Sequence, residues 1–266
     1  ASRAETLVQR ALPVLGIVGL FAWLAFTPRQ GDVPAMPLDR DRAEAAADAA
    51  LAARGTDLGR EWRRLSAIRV AADEGDWAQH KFVWREAGAA TYRALVGTTL
   101  APPLWQVRYA MFEGDVAARA EEWRVTIDPE GNVRHLRHVL PEARPGARLA
   151  KDAALAVAER GLRERLGADP AAAKLVAAEE KDRPARTDWL FTFADPRVDV
   201  GKDGEARLSV AVAGDEIVGA SRFVHVPESW ERREREREGR MQIVKIAGAL
   251  LFALAGLAAL VVAVTS

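Results

Sequence analysis

Residues 189–193 read WLFTF, a stretch in which aromatic side chains at Trp189, Phe191 and Phe193 occupy every second position. Successive side chains of a strand point to opposite faces, so this spacing predicts a β-strand with one buried aromatic face. Upstream, residues 152–167 read DAALAVAERGLRERLG, an alanine-rich segment that predicts a helix ended by its last glycine. A helix followed by a strand is therefore the local unit.

The same unit occurs earlier in the chain. Residues 41–54 predict an alanine-rich helix that ends at Gly55, and residues 105–109 read WQVRY with the same alternation. In each copy a second strand, a turn and a third strand follow, and both third strands end on proline and glutamate. These segments are strands 122–128 and 206–213, turns 129–132 and 213–216, and strands 133–142 and 217–228.

The repeat predicts an α+β fold built from two tandem units, each a helix packed on a small antiparallel sheet. The first unit spans residues 39–143 and the second spans 147–228. The first carries an insertion at residues 77–100 that predicts one or two further helices. Residues 64–71 and 173–180 are candidate additional strands.

Apolar segments flank the pair. Residues 243–264 have the length that a helix needs to cross a bilayer, whereas residues 11–27 are at the short end but uncharged and can be extended by Leu7 and Val8. We place transmembrane helices at 7–28 and 242–265. A cleaved signal peptide is the alternative for the first segment, and a buried core helix is the alternative for the second. Between the repeat and the second span, residues 229–241 predict a charged stalk helix, which we interpret as a solvated face that couples the units rigidly to the span.

The charge balance and the composition limit the classes of partner and of site that the chain can have. Lys and Arg number 38 against 38 Asp and Glu, so we expect no nucleic-acid partner, and the absence of cysteine excludes disulfides and thiolate metal sites. Arg3 and Arg10 precede the first span, which favours a cytoplasmic N-terminus under the positive-inside rule. Residues 30–240 would then be extracytoplasmic, with the lipid bilayer as a partner.

Residues capable of chemistry are few, and we predict no catalytic, cofactor-binding or metal-binding residue. His135 and His138 lie three apart in a predicted strand, so they face opposite sides, and we expect surface or half-buried histidines. His80 is expected to pack beside Trp84 in the insertion. The carboxylate pairs Glu121/Glu122 and Glu179/Glu180 are sequence neighbours, which do not converge on a substrate in a strand.

Three long strings give the chain a family resemblance. Residues 101–109 (APPLWQVRY), 186–193 (RTDWLFTF) and 223–238 (FVHVPESWERRERERE) occur in this order, the last directly before an apolar span. In these strings the chain resembles bacterial CPBP-type intramembrane proteases, which are related to CAAX prenyl endopeptidases and carry an extracytoplasmic region before their catalytic helices. The doubled unit itself is similar to PepSY-like domains.

The resemblance implies a multi-pass protein of the bacterial inner membrane with glutamate and histidine catalytic residues. The catalytic motifs E-E-x-x-x-R and F-x-x-x-H are absent here; Glu179-Glu180 is followed by arginine at 183, one place too early. No catalytic residue can be assigned, so whether the chain is an enzyme stays open, and we expect a fragment cut before the catalytic helices.

Two functions are therefore expected from the sequence. The first is an extracytoplasmic region that regulates an intramembrane endopeptidase or recruits its peptide or protein substrate. The alternative is a complete two-span sensor or scaffold that binds a peptide or protein outside the membrane, using exposed sheet edges.

Overall fold

The computed structural model describes residues 16, 17, 19–21, 36–69 and 77–265 of the chain. The helices are α1 Arg40–Ala53, α2 Trp77–Glu86, α3 Gly88–Leu95, α4 Val116–Arg119, α5 Lys151–Leu166 and α6 Glu228–Thr265. The strands are β1 Trp62–Arg69, β2 Leu104–Met111, β3 Glu122–Ile127, β4 Val133–Val139, β5 Lys174–Arg183, β6 Arg186–Ala194, β7 Glu205–Ala213 and β8 Glu216–His225.

Both repeat helices form within one residue of their predicted positions. The Asp39 side chain accepts a hydrogen bond from the backbone nitrogen of Arg42 at 2.8 Å, which caps the first turn of α1. Gly55 and Gly167, just beyond the two helices, have φ values of 71° and 59°. Glycine tolerates this left-handed conformation best, so the predicted stop signals are confirmed.

Each copy contains a four-stranded antiparallel sheet, with orders β1-β2-β3-β4 and β5-β6-β7-β8. The α+β fold with two tandem antiparallel sheets is thereby confirmed. The count of three strands per copy was too low, because the candidate segments 64–71 and 173–180 form β1 and β5. Both are edge strands whose side chains are largely exposed, so their hydrophobic alternation is weak and local pattern identifies them poorly.

Helix and sheet pack in the same way in both copies. α1 and α5 each bury two alanines and a leucine, spaced four residues apart so that they share one face. These triplets are Ala43, Ala47 and Leu51, and Ala154, Ala158 and Leu162. They pack against the predicted aromatic faces of β2 and β6, and the two cores form as expected from the alternation.

A tryptophan hydrogen bond is also repeated. Trp105 Nε1 donates to the carbonyl oxygen of Leu38 at 2.8 Å, and Trp189 Nε1 donates to that of Leu149 at 3.0 Å. In both copies the bond ties the first strand of the predicted trio to the residue shortly before the helix. The shared geometry supports a structural duplication, in addition to the similarity of the two amino-acid sequences.

The two copies meet through β4 and β8. His135 Nδ1 lies 2.9 Å from the carbonyl oxygen of Ala220, and His138 Nδ1 lies 2.9 Å from Glu216 Oε1. The later residue on β4 contacts the earlier residue on β8, so the two strands run antiparallel. An approximate two-fold relation between the copies requires this direction. Contacts between side chains, and between side chains and backbone, make this junction, and the described residues from Met36 onward form one compact unit.

The insertion forms α2 and α3, which confirms the prediction of helices at residues 77–100. α2 packs away from its own copy, against the far end of the second sheet and the start of α6. Buried members of this third cluster are Phe82, Val83, Leu100, Val200, Ala206, Val224, Val226 and Trp230. An insertion in one copy therefore supplies core to the other.

The stalk residues 229–241 and the predicted second span belong to one helix, α6, which runs from Glu228–Thr265. The predicted first span, residues 7–28, lies outside the described residues except for 16, 17 and 19–21, which are helical. Both spans stay predictions.

Among the described residues, no helix combines the length and the apolarity expected of a membrane crossing.

The tryptophan bonds predict matched losses of stability. We expect Trp105→Phe and Trp189→Phe each to lower the free energy of unfolding by about 1–3 kcal/mol, because each leaves a carbonyl oxygen without its donor. Trp77→Phe serves as the control, since Trp77 is 55% exposed. Chemical denaturation followed by circular dichroism measures the effect, and a loss in the control as large as in the two variants would contradict it.

Candidate coupling site at the start of the C-terminal helix

The first turn of α6 is anchored by a buried tryptophan. Trp230 is 6% exposed, and its ring meets that of Phe82 edge to face at 5.2 Å between centroids. Trp230 Nε1 donates to Glu86 Oε1 at 2.7 Å. Both partners lie on α2, so an apolar contact and a directional bond fix the same helix pair.

Tight backbone packing supports this anchor. A Cβ atom at Gly204 would overlap the ring of Phe82, and one at Gly201 would lie 2.9 Å from Glu86 Cβ. The loop between β6 and β7 can therefore close over α2 because it carries glycine at these points. At the end of β8, the backbone nitrogen of Val224 donates to Gln79 Oε1 at 2.7 Å, which attaches α2 to the second sheet.

Charges extend the contact along α6. Lys81 Nζ lies 3.3 Å from Glu234 Oε1, and Lys81 also pairs with Glu238. Arg85 pairs with Glu234, which is 9% exposed. The hydrogen bond between Lys81 and Glu238 raises the pKa of Lys81 and lowers that of Glu238, so both stay charged at neutral pH.

We name this set the coupling site: Phe82, Lys81, Arg85 and Glu86 on α2, and Trp230, Glu234 and Glu238 on α6. The three α6 residues are spaced by four, so they form one stripe along the helix. The interpretation of residues 229–241 as a solvated face was wrong for Trp230 and Glu234, which are buried, while Glu238 is exposed as expected. The sequence contains a signal for this contact. Lys81 and Arg85 are cations four residues apart on a predicted helix, which matches the spacing of Glu234 and Glu238.

Histidines occupy two structural sites. His80 is 6% exposed, and its Nδ1 lies 3.0 Å from the hydroxyl of Tyr92. The expected neighbour Trp84 instead contacts Tyr92 at 5.2 Å between ring centroids. Burial lowers the pKa of His80, because desolvation disfavours the charged ring.

His138 corrects the expectation of a surface or half-buried histidine. It is 5% exposed and stacks on Trp123 with ring centroids 3.7 Å apart. Its Nε2 lies 2.8 Å from Glu121 Oε1, while its Nδ1 faces Glu216. The pKa of Glu216 is lowered, chiefly by its hydrogen bond with His138. The opposite facing of His135 and His138 is confirmed, since His138 pairs with Trp123 in the ladder and His135 with Thr126.

The glutamates of the two carboxylate pairs do not act together on one site. Glu121 contacts Arg144 at 2.8 Å as well as His138, and Glu122 accepts hydrogen bonds from Arg108 at 2.7 Å. Glu179 and Glu180 are exposed on the edge strand β5. Within the ranges that the structure describes, no group of three or more His, Asp or Glu side chains converges to hold a metal ion.

Comparison of the chain with protein-family models, with curated proteins and with solved structures finds no match.

The charged stripe predicts local loosening when Glu234 loses its charge. In Glu234→Gln, Lys81 and Arg85 lose their shared buried partner, so the start of α6 should detach more often from α2. We expect amide hydrogen exchange in residues 229–238 to accelerate roughly tenfold, the equivalent of about 1.4 kcal/mol. Glu236→Gln is the matched control because Glu236 is exposed. Equal exchange rates in the two variants would contradict the coupling site.

Buried His80 predicts a pH dependence of stability. Its pKa in the folded protein is below the ordinary value of 6.5, so the unfolded chain takes up the proton first as pH falls. The contribution of neutral His80 is present above that value and is lost on acidification, so the free energy of unfolding should decline from about pH 7 to pH 5.5. His80→Gln should flatten this slope.

The matched control is His225→Gln. Burial also lowers the pKa of His225, but this side chain is only half-buried, so we expect it to account for a smaller part of the slope. Urea denaturation at a series of pH values measures both variants. A slope that His80→Gln leaves unchanged would contradict the prediction.

Proposed function

We propose that this chain is the membrane-anchored extracytoplasmic region of a bacterial intramembrane endopeptidase, in which the paired α+β unit regulates the enzyme or recruits its substrate. The coupling site is the observation that carries the proposal. It fixes the start of α6 on α2, so a ligand or substrate that displaces α2 also displaces α6. A flexible tether would not transmit such a movement.

The apolar part of α6 supports membrane attachment. Its described apolar side chains are exposed between residues 243 and 252, including Ile243 at 68% and Phe252 at 84%. Residues 243–264 would extend about 33 Å as a helix, which matches the hydrocarbon thickness of a bilayer. Lipid would cover these side chains, and the continuous helix would connect the membrane to the coupling site.

The protease part of the proposal rests on the three sequence strings. They map to β2 and the residues before it, to β6, and to the end of β8 with the start of α6. Two of them thus contribute directly to the repeated cores, and the third contains Trp230 and Glu234. The test is the coding sequence after residue 266, where we expect helices with an E-E-x-x-x-R motif. A reading frame that stops there would remove the protease part.

The second candidate is a two-span sensor or scaffold for an extended peptide. β1 and β5 each have one neighbouring strand, so each leaves one edge for pairing. A groove of about 440 Å³ also lies beside the end of β4, with Trp189, Leu190 and Val218 among its lining residues. Retention of a bound peptide by residues 39–238, lost on blocking an edge with proline, would favour this function.

The lack of cysteine makes the proposed topology directly testable. Lys202 is exposed in the loop before β7, and Ser2 precedes the predicted first span. In spheroplasts, a membrane-impermeant maleimide should label Lys202→Cys in the full chain but should label Ser2→Cys only after lysis. The physical reason is that the reagent cannot cross lipid. Labelling of Lys202→Cys only after lysis would contradict an extracytoplasmic domain.

A further inference from the structure

A second cleft lies where the two copies meet, and it belongs to neither the coupling site nor the groove beside β4. It has a volume of about 390 Å³. We call it the junction cleft. Its lining residues come from the segment after α3, from the starts of β2 and β4, from the end of α5 and from β8. Those with cationic or titratable side chains are Arg134, His135, Arg165 and Arg222.

No Asp or Glu among the described lining residues compensates the positive charge of the junction cleft. Among the described residues that line it, each one with a permanent charge is an arginine. Burial lowers the pKa of Arg222, and repulsion from Arg134 and Arg197 adds to this effect. Asp195 attracts Arg222 but is held by Arg197, whose Nε and Nη2 donate to it at 2.8 and 3.0 Å.

Neutral groups hold two of these arginines in place. Arg134 Nη2 donates to the carbonyl oxygens of Gly97 and Thr98, the latter at 3.4 Å. Arg222 Nη2 donates to the carbonyl oxygen of Leu166 at the end of α5. Carbonyl acceptors orient a guanidinium without cancelling its charge. Each of these contacts uses one nitrogen of a group that has five N–H donors.

We propose that the junction cleft binds a phosphate-type oxyanion, with Arg134 and Arg222 as its principal donors and exposed Arg165 at its mouth. Guanidinium forks match the oxygen geometry of phosphate and form strong charge-assisted hydrogen bonds. Such a ligand would also offset the repulsion among the arginines. The phosphate group could belong to a free or phosphorylated solute or to an anionic lipid headgroup. The proposal goes beyond the proposed function and does not require it.

A ligand here would bridge the two copies, because Arg134 lies on β4 and Arg222 lies on β8. Binding to the folded state alone stabilises it, so phosphate should raise the thermal midpoint of the protein more than chloride does at equal ionic strength. The comparison at equal ionic strength removes general screening.

The test uses the full chain in a non-ionic detergent, with calorimetric titration of inorganic phosphate and of short-chain phosphatidylglycerol. We expect Arg222→Gln to weaken binding roughly tenfold and Arg165→Gln to weaken it about threefold, since Arg222 is half-buried and water screens its charge less than that of exposed Arg165. Arg165 is exposed, so its replacement tests the site even if Arg222→Gln fails to fold. Arg160→Gln, on the exposed face of the same helix, should bind as the unaltered chain does.

The two probes also separate the sources of the phosphate group. Binding of phosphate alone assigns a solute, binding of phosphatidylglycerol alone assigns a lipid headgroup, and competition between them shows that either can occupy the cleft. Heat changes equal to those of chloride for both probes would overturn the proposal. An equal loss of affinity in Arg160→Gln and Arg165→Gln would overturn it as well.

Discussion

Each repeat supplies one helix of its own to cover its four-stranded sheet, and this shortage of apolar cover is the constraint on which the rest of the structure depends. α1 and α5 cover one face with a narrow stripe of alanine and leucine. Small units bury a limited fraction of their surface and are marginal alone. Two consequences follow: the copies pack together through β4 and β8, and the far end of the second sheet receives α2 from the first copy.

The packing of α2 on the second copy also holds the start of α6 in one orientation. Exposed ion pairs contribute little to stability, about 0–1 kcal/mol each, so Lys81 and Glu238 alone would hold α6 loosely. The buried contact between Trp230 and Phe82 supplies the larger part, because aromatic side chains bury extensive area. Trp230 also selects the register, because a slide of α6 by one turn would remove its indole from Phe82 and Glu86. A slide in one direction would still bring a carboxylate beside Arg85, since Glu238 lies one turn after Glu234. The buried tryptophan thus supplies both the stability and the register of this contact.

Two groups of polar side chains lie where the copies meet. His138 bridges carboxylates of both copies, and Arg134 and Arg222 bring like charges together across β4 and β8. Inside each copy the core is apolar and regular. Local conflicts of this kind tend to mark functional positions, because a fold retains them at a cost. In a duplicated unit the interface between the copies can hold such residues, because the apolar packing of the two cores does not depend on them.

The amino-acid sequence by itself determined the repeat, the two helices with their glycine stops, and the buried strands that contain Trp105 and Trp189. These signals are local, because helix and strand periodicity act over a few neighbouring residues. It identified β1 and β5 only as candidates, since edge strands lack a clear buried face. Tertiary structure alone decided that Trp230 reaches Glu86, 144 positions away, and that His138 meets Glu216, 78 positions away. Such contacts depend on how loops return the chain to itself, and that information is not contained in any local pattern.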